Sequence, residues 1–258
     1  MAYNVNDLLN SSSDNYDIET DDLLENIAVR VPICLCLDTS GSMSTNGKIN
    51  DLNEGIKEFV NILREDSIAC DSAELCIIQM GGDEPKVICD FQPLDKVITH
   101  SEVGNFKPYG RTPIGQAAET GIILLNERKE KYKATSTDYY QPWLVIMSDG
   151  VSTDGPDKMK RATELVSSLV SAKKLVSIPV LIGEDERGLR ELSQFTPTRE
   201  VFSLDSLKLR EFFKFLSMSV ARVSCSIQGN MDVKDEIKSR TESITKVYTF
   251  GNGEKLLK

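Results

Sequence analysis

Three short runs built almost wholly of apolar residues constrain this chain most: "ICLCL" at 33–37, "WLVIM" at 143–147 and "LVSIPVLI" at 175–182. They lack the polar alternation of a strand with one wet face, so each reads as a strand buried on both faces. Helical patterns lie between them. In "KINDLNEGIKEFVNILRE" the apolar residues Ile49, Leu52, Ile56, Phe59, Val60 and Leu63 recur at helical spacing. "TPIGQAAETGIILLNERKEKYK" opens with Thr112 as a hydroxyl cap and Pro113 at the first helical position. Further helices are expected from about Pro156, near "GLRELSQF" and over "SLKLREFFKFLSMSVARVS", with "REVFSL" as the strand before the last of these. Strands alternating with helices imply right-handed crossovers and a Rossmann-like, doubly wound α/β fold: a mostly parallel sheet with helices on both faces. One antiparallel edge strand is expected, because "ELCIIQM" and "KVICDF" flank the tight turn "GGDEP". "KVYTFGNGEKLL" fits either a hairpin around Gly251-Asn252-Gly253 or a disordered end.

With 258 residues and 40% hydrophobic composition the chain can bury a large core. The elements divide it into an acidic segment over 1–27, one domain over 28–222 and a C-terminal extension over 223–258. The net charge of −10 sits mostly in the first part. Asp7, Asp14, Asp17, Glu19, Asp21, Asp22 and Glu25 precede Arg30 with no Lys or Arg among them, which leaves 33 acids against 30 bases for the body. Such a segment reads as solvated and flexible. The body has no basic face, so nucleic acid is not the expected partner. No apolar run approaches the roughly 20 residues of a membrane helix, and the start lacks a basic-then-apolar leader, so a cytoplasmic setting is expected. The six cysteines form no CxxC pair and read as buried reduced thiols. His100 is the only histidine, which disfavours Ser-His catalysis and zinc sites built on several imidazoles.

The first apolar run ends in "DTSGSMSTNGK", and three chemistries compete for it. A phosphate loop requires four residues between Gly41 and the next Gly, then Lys and a hydroxyl; here there are five, and Ile49 follows Lys48. A serine nucleophile lacks its frame and a histidine base, and an aspartyl phosphatase requires a second acid where Ser40 stands. A divalent-metal site accounts for more residues together. A hard cation such as Mg²⁺ takes oxygen ligands; Asp38 supplies charge and Ser40 and Ser42 supply hydroxyls. In a doubly wound sheet the remaining oxygens come from other loops at the carboxyl ends of strands. Thr112, before a helix, and Asp149, after "WLVIM", are placed to contribute.

"DTSGS" at 38–42, "GRTPIGQA" at 110–117 and "MSDG" at 147–150 together resemble the metal-ion-dependent adhesion site of von Willebrand factor A domains, over about residues 28–222. The family's Asp-x-Ser-x-Ser, distant Thr and later Asp fall on Asp38, Ser40, Ser42, Thr112 and Asp149. The flanking sequences are similar to small stand-alone bacterial members associated with tellurium resistance and stress. The resemblance implies Mg²⁺ or Mn²⁺ as the cofactor, and a protein–protein interaction module rather than an enzyme. Its partner protein would offer an Asp or Glu to the ion, with phosphatases and kinases as candidates and no role for a membrane. The rim that would select the partner is expected over Met43–Gly47, Gly104–Arg111 and Val151–Lys158, with Met43, Lys107, Tyr109 and Asp154 as contact candidates. An alternative is a regulatory subunit or enzyme using the same Mg²⁺ in phosphoryl chemistry, with Arg111 as the nominated clamp. A further alternative is an ion that only stiffens the loops.

Overall fold

The structure, a computed structural model, describes residues 23, 26–97, 99–225, 233–251 and 254–257. The acidic residues up to 25, and with them their expected flexibility, lie outside these. Alternate residues of the apolar runs go to opposite faces of one sheet, as the period of two dictates. From β1 (Val31–Asp38), Ile33, Leu35 and Leu37 enter one core and Cys34 and Cys36 the other. From β4 (Trp143–Ser148), Val145 and Met147 join the first, and Leu144 and Ile146 the second. Each face is then covered by helices whose apolar stripe matches it. The helix α1 (Lys48–Glu65) and the helix over 209–224 close the first core, Phe59 meeting Phe213 with ring centroids 5.6 Å apart.

The short helix α2 (Ser67–Ser72), capped by the Asp66 carboxylate, leads into β2 (Ala73–Met80), which pairs parallel with β1. β3 (Lys86–Pro93) returns antiparallel to β2 across the Gly81–Pro85 turn, as its sequence required. α3 (Ile114–Thr135) and α4 (Pro156–Ser171) cover the second face on either side of β4. β5 (Val176–Ile182), α5 (Glu186–Leu192), β6 (Glu200–Leu204) and α6 (Leu209–Ser224) complete the parallel part.

Among the described residues the sheet has eight strands in the order β3-β2-β1-β4-β5-β6-β7-β8. It is mostly parallel, but antiparallel strands stand at both edges, not at one. After α7 (Val233–Thr241), β7 (Lys246–Gly251) pairs antiparallel with β6, and β8 (Glu254–Leu257) pairs antiparallel with β7. Of the two readings of "KVYTFGNGEKLL", the hairpin is the one formed, and it continues the sheet of the domain. A second difference concerns Thr112. α3 begins at Ile114 with Pro113 before it, and no side chain caps it at that position. The chain order places the switch point between β1 and β4, where the crossovers run off in opposite directions and leave a crevice at the carboxyl edge.

Cys34, Cys36, Cys76 and Cys89 are buried, Cys70 is half-buried, Cys225 is exposed, and all six are unpaired. No helix among the described residues is long and apolar enough to cross a membrane.

Candidate cation-binding site

β1 ends in Asp38 and β4 ends one residue before Asp149, side by side at the switch point. Asp38 is fully buried, which is costly for a carboxylate unless its oxygens are hydrogen-bonded. They are. The Ser40 backbone N–H donates to Asp38 Oδ1 at 2.8 Å, and the Ser148 hydroxyl donates to Oδ2 at 2.6 Å. The Asp149 N–H points to the same Oδ2 at 3.4 Å. Burial pushes the Asp38 carboxyl up from its ordinary value, these hydrogen bonds pull it down by less, and the neighbouring Asp149 charge adds to the rise.

A chain of oxygens runs outward from there. Ser40 Oγ lies 2.9 Å from Ser42 Oγ, and the Ser42 hydroxyl donates to Asp149 Oδ1 at 2.6 Å. The second oxygen of Asp149 accepts from the Lys48 ammonium at 2.7 Å, in an ion pair whose carboxylate is 2% exposed and whose lysine is 20% exposed. Lys48 reaches it because Gly41–Gly47 coils as a short 3₁₀ segment that ends in Asn46 and Gly47, at φ of +54° and +75°. Asn and Gly are the residues that take left-handed φ at least cost. That reversal starts α1 at Lys48, directly beside Asp149.

Thr112 comes from a third loop and is held on two sides. Its carbonyl accepts from the Thr153 N–H at 2.9 Å and from the Ser152 hydroxyl at 3.3 Å, and its own N–H donates to Thr153 Oγ1 at 3.1 Å. The same loop is bound to the Asp38–Ser42 turn through Tyr109 N–H to Thr39 O, 2.8 Å, and Gly41 N–H to Gly110 O, 3.2 Å. Gly110 has φ +65°, and a Cβ there would stand 2.4 Å from Gly82 N, so only glycine fits this crossing. The Thr112 side-chain hydroxyl makes no hydrogen bond with the described residues and reaches solvent, although the residue as a whole is 7% exposed. Asp38, Ser40, Ser42 and Asp149 are thus linked directly, and Thr112 is pinned to the same crest by its backbone.

The rim candidates fare differently. Lys107 and Tyr109 are exposed at the crest. Met43 is not on the rim: it is fully buried in the first core, its apolar side chain turning inward from the 3₁₀ segment. Asp154 is half-buried and its carboxylate faces inward, accepting from the Gln116 N–H at 3.1 Å and the Gln116 side-chain amide at 2.7 Å. It caps the first turn of α3, the role expected of Thr112. Arg111 pairs at 3.7 Å with Asp83, both exposed. Two contributors were not anticipated: Ser148, which holds Asp38, and Lys48, which holds Asp149. Neither carries a local signal, since each acts on a residue distant in the sequence.

All five candidate oxygens are hard donors and suit Mg²⁺ or Mn²⁺ better than a soft metal. Among the described residues no group of three or more His, Cys, Asp or Glu side chains is arranged to hold a metal; hydroxyls make up most of this set.

A doubly wound sheet with an oxygen-lined crest at its switch point defines a class of binding domain whose ligands meet the loops and not the sheet. The sequence profile of the von Willebrand factor type A domain matches residues 33–214, and the chain belongs to that family. A search of curated proteins gives no match. Among solved structures, the fold is similar to the vWF domain of the type V pili tip protein Mfa5 from Porphyromonas gingivalis (TM-score 0.61, 10% identity, 80% of this chain and 99% of that one). It is also similar to the SpRpn10 VWA domain (TM-score 0.52, 11% identity, 78% and 100%). A third is proximal thread matrix protein 1 from the mussel byssus, with a zinc-occupied MIDAS motif (TM-score 0.51, 18% identity, 76% and 49%). This chain spans about half the length of that mussel protein.

Proposed function

We propose that this chain is a divalent-cation-dependent protein-interaction module. In it Asp38, Ser40, Ser42, Thr112 and Asp149 hold Mg²⁺ or Mn²⁺, and a partner's Asp or Glu completes the coordination. One observation carries the reading: the Ser40–Ser42–Asp149 chain of oxygens beside buried Asp38 already ends on a cation, the Lys48 ammonium. The unpartnered Thr112 hydroxyl and the zinc-occupied motif of the mussel relative support it.

When bound, the ion supplies an electrophilic centre for a carboxylate, a directional and charge-assisted contact. The rest is done by the chain. Ser148 and the Ser40 N–H fix Asp38 in one orientation at the end of a rigid strand. The Ser40 and Ser42 hydroxyls can turn their lone pairs from each other to a cation without any backbone movement. Lys107 and Tyr109 form the exposed rim on one side, where a partner would be selected. The six unpaired cysteines suit a reducing compartment, which supports a cytoplasmic setting. The sequence resemblance to tellurium-resistance members supports a stress or defence role.

The test is capture from host lysate by wild type and by a folded Asp38→Ala variant, in Mg²⁺ and in EDTA. A protein retained only by wild type with metal is expected. Equal recovery in all four conditions would overturn the proposal.

A further inference from the structure

Lys48 is placed against its own helix's electrostatics. As the first residue of α1 it stands at the positive end of the helix dipole, where a cation is unfavourable. What holds it is Asp149, through one 2.7 Å hydrogen bond from a flexible four-carbon stem. Lys48 also lines a cleft of about 400 Å³ at the carboxyl ends of β5 and β6, together with Asn46, Gly183, Asp205 and Leu207. Asp205 uses Oδ1 to accept the Leu207 N–H at 3.0 Å; its other oxygen is engaged by no described residue.

We propose that Lys48 is a tethered competitor for the divalent cation: it neutralises Asp149 when no ion is bound, and on ion binding it swings into the adjoining cleft toward Asp205. The proposal rests on the metal-site reading above. An incoming ion and the dipole of α1 both repel the ammonium once Asp149 is taken. Among the described residues that line the cleft with Lys48, Asp205 is the one carboxylate. Ion loading would then change the charge of the cleft as well as that of the crest. Lys48 would set the affinity of the site without being a ligand.

Mn²⁺ alone is the probe, titrated by calorimetry and by electron paramagnetic resonance of the free ion, on the full chain. Four forms are compared: wild type, Lys48→Met, Asp205→Asn and the double variant. Asn still accepts the Leu207 N–H, and thermal unfolding in EDTA confirms folding of each. Lys48→Met is expected to bind Mn²⁺ about tenfold more tightly, because the ion no longer displaces or neighbours a like charge. Asp205→Asn is expected to weaken binding about threefold in the wild-type background and to change nothing in the Lys48→Met background, since its effect runs through the lysine. Unchanged or weaker binding by Lys48→Met overturns the proposal while leaving the site reading intact. An Asp205→Asn effect that persists without Lys48 overturns the swing. If neither wild type nor Lys48→Met binds Mn²⁺ while both are folded, this proposal and the metal-site reading fall together.

Discussion

The two ends of the central strands both bury carboxylates, and they close them in opposite ways. At the amino edge Glu74, near the start of β2, is fully buried and gripped by Arg128 in a bidentate pair, Nε to Oε2 at 2.6 Å and Nη2 to Oε1 at 2.7 Å. The Tyr132 hydroxyl adds a third bond at 2.5 Å, and buried Arg30 stands 3.6 Å away. At the carboxyl edge Asp38 and Asp149 are held by small hydroxyls, backbone N–H groups and one lysine. A planar guanidinium locked on both carboxylate oxygens is hard to exchange, whereas hydroxyls reorient and a lysine moves on its stem. The first arrangement fixes the sheet; the second is held by partners that can be exchanged.

The largest effect should follow from breaking the closed end. Arg128→Met leaves Glu74 with the Tyr132 hydroxyl and the more distant Arg30, and removing one partner of a buried pair costs about 3–5 kcal/mol. Urea unfolding should show that loss, while Mn²⁺ affinity of the folded fraction stays unchanged. A loss under about 1 kcal/mol would mean that the amino edge is no tighter than the crest.

Thr112→Val should do the reverse. Its hydroxyl has no partner among the described residues, so stability without metal should change by less than about 0.5 kcal/mol. Wild type at a hundredfold excess of ion over its dissociation constant should gain about 2.7 kcal/mol. The variant should lose most of that gain, read as the metal-induced rise in melting temperature. Equal gains would remove Thr112 from the site.

The smallest effect concerns a half-open pair that tests the intermediate case. Glu200 on β6 accepts from Lys238 on α7 at 2.8 Å. Burial pushes the Glu200 carboxyl up, but the Lys238 hydrogen bond and charge, with the Thr198 hydroxyl and the Lys234 charge, together outweigh it and hold it below its ordinary value. A depressed carboxylate stabilises the fold above its unfolded value, about 4.3, and that contribution is lost as pH falls through the lower folded value. Lys238→Met should therefore cost a few tenths to about 1 kcal/mol at pH 7, and should flatten the fall in stability below about pH 4.3. An unchanged acid limb would show that the pair contributes nothing to anchoring the C-terminal helix.

The apolar runs and the helical spacing of Ile49 to Leu63 were legible because they are properties of consecutive residues: periodicity encodes which face is dry. Asp38 and Asp149 were legible as neighbours because strand ends at a switch point converge by topology, and the set of five candidates came from the family resemblance. Met43 was misplaced because a lone apolar residue in a polar loop carries no period, and only the turn of the 3₁₀ segment sends it inward. Asp154 took the capping role expected of Thr112 because the loop after β4 supplies the acceptor for the first turn of α3.

The α/β alternation and the antiparallel return of β3 follow from local pattern and chain order, and so could be read from the sequence alone. That Ser148 holds Asp38, Lys48 holds Asp149 and Arg128 closes on Glu74 comes from long-range packing. Each of these joins residues 54 to 110 positions apart. A contact of that kind depends on where packed elements place two side chains, and nothing in the neighbourhood of either residue specifies it.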